Sequence, residues 1–187
     1  MKNYILSTGI LLFSFSFIIP IFGFTEIAMI ILYISMAVIS STLIVLYNDK
    51  FLIHGILILI ILFTGPAITI LQSMIIFVLY YVLFYFTFIY FLYGLRKYIM
   101  SKKIKVSFSL SFYGLVLQFI DVSIYPYLGL KLFDNFENYT QYSGQFITPA
   151  GFLFTISLPS ILILISNIMI FSGFVLITLN ILKREKS

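Results

Sequence analysis

Residues 51–95 pass without one Asp, Glu, Lys or Arg, and most positions between them are apolar. A membrane-crossing helix takes about 20 consecutive apolar residues, so this stretch is too long for one crossing and suits two. Gly65-Pro66 with Gln72-Ser73 supplies the turn between them. The rest of the chain has the same character. Of 187 residues, 62% are apolar and 9% charged, where a soluble domain is about 45–50% apolar and 25% charged. Too few polar side chains remain to cover a water-facing surface. A soluble fold, a disordered chain and a coiled coil are excluded together.

Read at helical period, the apolar runs are 4–24, 27–47, 51–71, 74–95, 106–130 and 152–182. They are apolar on every side, whereas barrel strands alternate polar and apolar over about ten residues. The expectation is an all-α, polytopic integral membrane protein: a single membrane domain over 1–187, six transmembrane helices and no soluble domain. Lys2 ahead of the first run raises a signal peptide as the alternative. The run is long and no clean small-x-small cleavage site follows it, so a retained span is expected.

Charge fixes the expected orientation, because Lys and Arg accumulate in short cytoplasmic loops. With six spans, one side carries Lys2, Lys50, Arg96, Lys97, Lys102, Lys103, Lys105, Lys183, Arg184 and Lys186. The other carries Lys131 alone among basic residues, with Glu26, Asp134 and Glu137. Both termini are therefore expected inside. The net charge of +5 reads as topology and as contact with anionic lipid headgroups at the cytoplasmic face. Nucleic acid is not an expected partner, since no domain presents a solvated basic surface.

The outer loop, 131–149, spaces Leu132, Phe133, Phe136 and Tyr139 against Asp134, Asn135, Glu137 and Asn138, which predicts a short interfacial helix. It also holds the glycosylation sequon Asn138-Tyr139-Thr140. Use of Asn138 requires an archaeal or eukaryotic glycosylation system, or a rare bacterial one. The expected location is the cell membrane of a prokaryote, archaea included. The 22 Phe and 14 Tyr, with no Trp, partly reflect the bias that AT-rich codons give.

Within the spans, small and polar residues form seams. Ser107, Ser111, Gly114, Gln118, Asp121 and Tyr125 follow steps of 4, 3, 4, 3 and 4, all on one helix face. Gly9, Ser16 and Gly23, then Ala28, Ser35 and Thr42, then Pro159, Ser166, Gly173 and Asn180 recur at intervals of seven. Such residues let helices approach and bond across the interface. The fourth span differs: nine of the fourteen residues from Tyr80 to Tyr93 are aromatic, with Thr87 and Gly94 as small neighbours. It reads as facing lipid or a partner.

Two ionisable groups stand inside spans. Asp121 is a deep carboxyl with no Lys or Arg within any span to pair with it. Intramembrane carboxyls are costly, face the bundle interior and are often functional. Gln118 and Tyr125 lie three and four positions away and are placed to bond to it. A lock between helices accounts for this trio; the alternative is a site for a proton, a cation or a polar ligand. His54, the one histidine, stands about a turn into the third span. It reads as an interfacial imidazole reaching headgroups or a neighbouring helix.

Catalytic, metal and cofactor constellations are absent from the sequence. There is no Cys, no HExxH, no paired aspartates and no phosphate-cradling Gly loop, so no enzyme, metal or cofactor is expected. Two functions remain. One is a non-catalytic subunit of a larger membrane complex, respiratory or transport, with other membrane subunits as partners. The other is a small transporter or substrate-binding component with a polar path past Asp121.

Overall fold

In hydrocarbon every backbone N–H and C=O needs a partner within its own segment. The computed structural model meets that demand with helices alone. It describes the backbone of residues 2–71, 74–98, 105–132 and 150–185, and the side chains of 2–47, 51–66, 76, 79–97, 105–120 and 161–183. The helices are α1 (Lys2–Ile18), α2 (Thr25–Leu46), α3 (Asn48–Leu71), α4 (Met74–Tyr98), α5 (Lys105–Leu132) and α6 (Ala150–Glu185). Lys2–Phe22, Thr25–Leu46, Leu79–Lys97 and Ile161–Lys183 are long and apolar enough to cross a membrane. Phe51–Pro66 and Lys105–Ile120 are shorter apolar helical stretches.

α1 stops early for a local reason. Pro20 enters a 3₁₀ turn, Ile19–Phe22, and Gly23 closes it at φ 86° with its N–H donating to the Pro20 carbonyl at 3.0 Å. Glycine carries no Cβ, so this left-handed position costs it little. Gly23 is thus a cap and no part of a seam: nothing packs where its Cβ would be. Of the residues expected to mark the turn between the third and fourth spans, Gly65-Pro66 does not break the helix. α3 ends at Leu71 and α4 begins at Met74, on either side of Gln72-Ser73. Pro66 lies inside α3, which runs on to Leu71, as proline does in membrane helices when neighbours make good the lost bond.

Each helix packs on the next, and α6 returns to α1, so the bundle closes as a ring. Neighbours run antiparallel throughout. On α5 and α6, Ser111 meets Gly173 while Gly114 meets Ile170 and Ser166. On α1 and α6, Phe13 meets Phe174 while Phe15 meets Phe171. The centre is aromatic: Phe13 of α1 stacks on Phe88 of α4 at 4.1 Å between ring centroids, and Phe174 of α6 meets Phe13 edge-on at 5.1 Å. All three rings are fully buried.

The seams act through size more than through bonding. Ser16, Ser35 and Ser166 are buried, yet each hydroxyl donates to a carbonyl one turn back in its own helix, at 2.7, 2.7 and 2.8 Å. Self-bonding of this kind lets a serine be buried without a partner helix. Asn180 does the same, to the Leu176 carbonyl at 2.7 Å. The expectation for α4 is also corrected. Phe84, Phe88, Phe91 and Leu95 are buried in the core, while Leu79, Leu83, Phe86, Tyr90 and Tyr93 are exposed. An aromatic run wrapping the whole helix supplies both faces, so composition alone does not tell inside from outside.

At the α5–α6 contact a Cβ on Gly114 would lie 2.9 Å from the Ile170 nitrogen, and one on Gly173 would lie 2.9 Å from the Ser107 carbonyl oxygen. Backbone cannot yield as a side chain does. Gly114→Leu or Gly173→Leu should therefore lower thermal stability in detergent by about 1–3 kcal/mol or more, read as a drop in Tm. Val45→Leu, at an exposed position of α2, should leave Tm unchanged within a degree or so; an equal loss there would deny the contact its special role.

Candidate functional site

Ser16 closes the last turn of α1 before the 3₁₀ turn, and beyond it the ring of helices is not filled. A cavity of about 270 Å³ opens there. It sits where α1, α3 and α5 approach their ends and α2, α4 and α6 begin, and all six helices contribute to its wall. Phe17 and Phe84 form its floor. They rest on the core rings Phe13 and Phe88, at 5.0 and 4.8 Å. Met29 and Ile163, both exposed, stand at its rim.

Its polar groups come from five helices, the Ser16 hydroxyl of α1 being spent on the Phe13 carbonyl of its own helix. Gln118 of α5 donates from Nε2 to Oδ1 of Asn167 on α6 at 2.8 Å. Asn167 is buried, and the remaining Gln118 oxygen, Oε1, is buried without a hydrogen-bond partner. Across the cavity, Tyr33 of α2 and Tyr80 of α4 bring their hydroxyls together over Gly65 of α3. Each hydroxyl lies 2.8 Å from the point where a Gly65 Cβ would stand. A side chain at residue 65 would crowd both oxygens and push them away, so the glycine opens the notch into which they reach. Tyr81 and Tyr85 complete the aromatic wall. No charged residue lines the cavity among the described residues.

Of the residues singled out in the sequence, the structure brings Gln118 to this cavity. Asp121 and Tyr125 follow on α5, one and two turns beyond it; their side chains, and residues 133–149 with Asn138 and the expected interfacial helix, lie outside the described residues. His54 is elsewhere, near the opposite end of the bundle. It is buried, and its ring stacks on Tyr90 of α4 at 4.2 Å and 7° between planes. A Cβ on Gly94 would lie 2.6 Å from its Nε2, so Gly94 is the notch that admits the ring. Both imidazole nitrogens are buried, and neither makes a hydrogen bond. Among the described residues no group of three His, Asp or Glu is placed to hold a metal.

Sequence reasoning missed Asn167, Tyr33 and the Tyr80 hydroxyl. Asn167 had a usable signal, an amide in the middle of an apolar span, but Ser166 beside it fitted the seven-residue interval and drew the assignment. Tyr80 was hidden within an aromatic run. Tyr33 gave no signal of its own, because tyrosine is common throughout the chain. Comparison of the chain with protein families, with curated proteins and with solved structures returns no match.

The amide pair yields a direct test. Removing one partner leaves the other buried and unpaired, which costs about 1–3 kcal/mol, whereas replacing both by apolar groups is nearly neutral. Gln118→Leu and Asn167→Leu should each lower Tm, and the double variant should recover most of the loss. Bonds of this kind in membrane helices couple by about 0.6–1.7 kcal/mol in double-mutant cycles. Strictly additive losses would mean that the two amides do not act together.

Proposed function

We propose that the chain is an integral membrane protein of six spans with both termini cytoplasmic, and that it acts as a small-molecule binding or transport component whose ligand occupies the cavity around Gln118 and Asn167. The cavity carries this reading. A bundle serving only as scaffold has no need of an open volume with neutral polar groups converging on it, while ligand sites are typically apolar concavities with a few polar groups.

The six-span arrangement draws support from length and charge. α3 and α5 have 24 and 28 residues, about 36 and 42 Å at 1.5 Å per residue, against a hydrocarbon thickness of about 30 Å. Lys2, Arg96, Lys97, Lys105 and Lys183 all belong to one end of the antiparallel bundle, and Glu26 to the other. The Lys2 ammonium donates to the Leu46 carbonyl at 3.2 Å, and the Arg96 guanidinium lies 4.8 Å from the centre of the Phe108 ring. These contacts suit a cytoplasmic surface facing anionic headgroups in a prokaryotic cell membrane. The cavity then opens toward the outer face, with the aromatic core between it and the cytoplasm.

The second reading, a subunit of a larger membrane complex, has one observation in its favour. Leu79, Leu83, Phe86, Tyr90 and Tyr93 form an exposed stripe on α4 at steps of 4, 3, 4 and 3, the spacing of a helix–helix seam.

The chain has no Cys, so introduced thiols report without background. Ser143→Cys should react with an impermeant reagent in intact cells, and Ser101→Cys only after permeabilisation. The reverse pattern, or equal labelling, defeats the topology. The cavity is tested by Gly65→Leu, which fills the notch beneath the two hydroxyls. Toluene should bind saturably to the protein in nanodiscs by saturation-transfer NMR, and Gly65→Leu should abolish that binding. Absence of saturable binding, or its persistence in the variant, would remove the ligand reading and leave the subunit one.

A further inference from the structure

We infer that the Tyr33 and Tyr80 hydroxyls form a clamp for one uncharged carbonyl oxygen, so that the ligand is a small neutral carbonyl compound with a flat apolar body. This rests on the reading of the cavity as a ligand site and names what that site selects.

Convergence is the first observation. The two phenols come from α2 and α4, which are not neighbours in the ring, and both oxygens lie 2.8 Å from the same point above Gly65. They do not bond to one another, and among the described residues neither hydroxyl has a hydrogen-bond partner, although both line the cavity. Both tyrosines are half-buried and line the cavity beside Gly65, so both phenols can donate to whatever enters it.

Chemistry then narrows the occupant. A phenol O–H is a good donor, and a carbonyl oxygen has two lone pairs, so two phenols meeting at one place match one such oxygen. A carboxylate would also accept both bonds, but no cationic residue lines the cavity among the described residues, and an unpaired ion pays heavily for leaving water. The oxygen is therefore an uncharged one. The body of the ligand follows from the walls. Phe84, Tyr81 and Tyr85 present rings, against which flat groups pack edge-on or offset. The Gln118–Asn167 pair across the cavity is already engaged through its one strong bond, which leaves the phenols as the principal anchor.

Acetophenone and α-methylstyrene test this, because they share one shape and differ in C=O against C=CH₂. In nanodiscs acetophenone should bind about tenfold tighter, as befits hydrogen bonds made to otherwise unpaired groups. Tyr33→Phe and Tyr80→Phe remove the hydroxyls and keep the rings, so folding is preserved. Each should cut the preference several-fold, and the double variant should erase it. Equal binding of the two probes, both lost in Gly65→Leu, would overturn the clamp while the cavity stands as a site. A preference that survives the double Phe variant would place the anchor elsewhere and also overturn it. Benzoate binding tighter than acetophenone would overturn the neutral ligand. Failure of both neutral probes to bind saturably would remove the underlying reading and the clamp with it.

Discussion

Within hydrocarbon an apolar side chain gains nothing by moving from lipid to protein, so a bundle like this one depends on how closely its helices approach. The tightest approach is between α5 and α6, where bare glycine on each helix admits backbone of the other: Gly114 against Ile170, and Gly173 against Ser107 and Ser111. Dispersion falls off within an ångström of gap, so this contact is strong only while both positions stay small. It also sets the register that carries Gln118 to Asn167. From Ser111–Gly173 through Gly114–Ile170 to Gln118–Asn167, the pairing steps along α5 as it recedes along α6. One small-residue contact thus fixes both the stability of this pair and the geometry of the polar site.

The same ring is treated differently at its two ends. In the middle Phe13, Phe88 and Phe174 fill the space with rings from α1, α4 and α6. Toward the end where α1 stops, the proline-led 3₁₀ turn replaces a helical wall, and the volume is left open. Pro20 of that turn and residues from all six helices wall the opening. Their side chains then decide what can enter.

Much of the fold was legible in the sequence because membranes impose coarse rules. Charge-free runs mark helices, and short links such as the one ending at Gly23-Phe24 force antiparallel neighbours. Spacing of small residues marked the α5–α6 contact, since a face of Ser107, Ser111 and Gly114 has few other uses in lipid. What stayed hidden depends on three-dimensional placement. That Gly23 caps a turn while Gly9 packs against Ile39 cannot be told from an interval of seven, because both satisfy it. Which side of the aromatic α4 faces inward is invisible where Phe and Tyr surround the helix. Gln118 was found as part of a periodic stripe; Tyr33 and Tyr80 meet only because helices far apart in the chain converge over a glycine on a third.

That the cavity relies on phenols and amides, with no ion among its described lining residues, follows from where it lies. An ion there must be paired or pay its desolvation cost whenever the site is empty. A tyrosine hydroxyl left unpaired costs far less, because its ring is at ease in the apolar wall and only one polar atom is stranded. Neutral groups therefore cost the bundle less than an ion would at the same place. An amide pair joined across α5 and α6 serves the same economy from the other wall: Gln118 and Asn167 satisfy each other in part, hold two helices together, and keep the Oε1 acceptor in reserve.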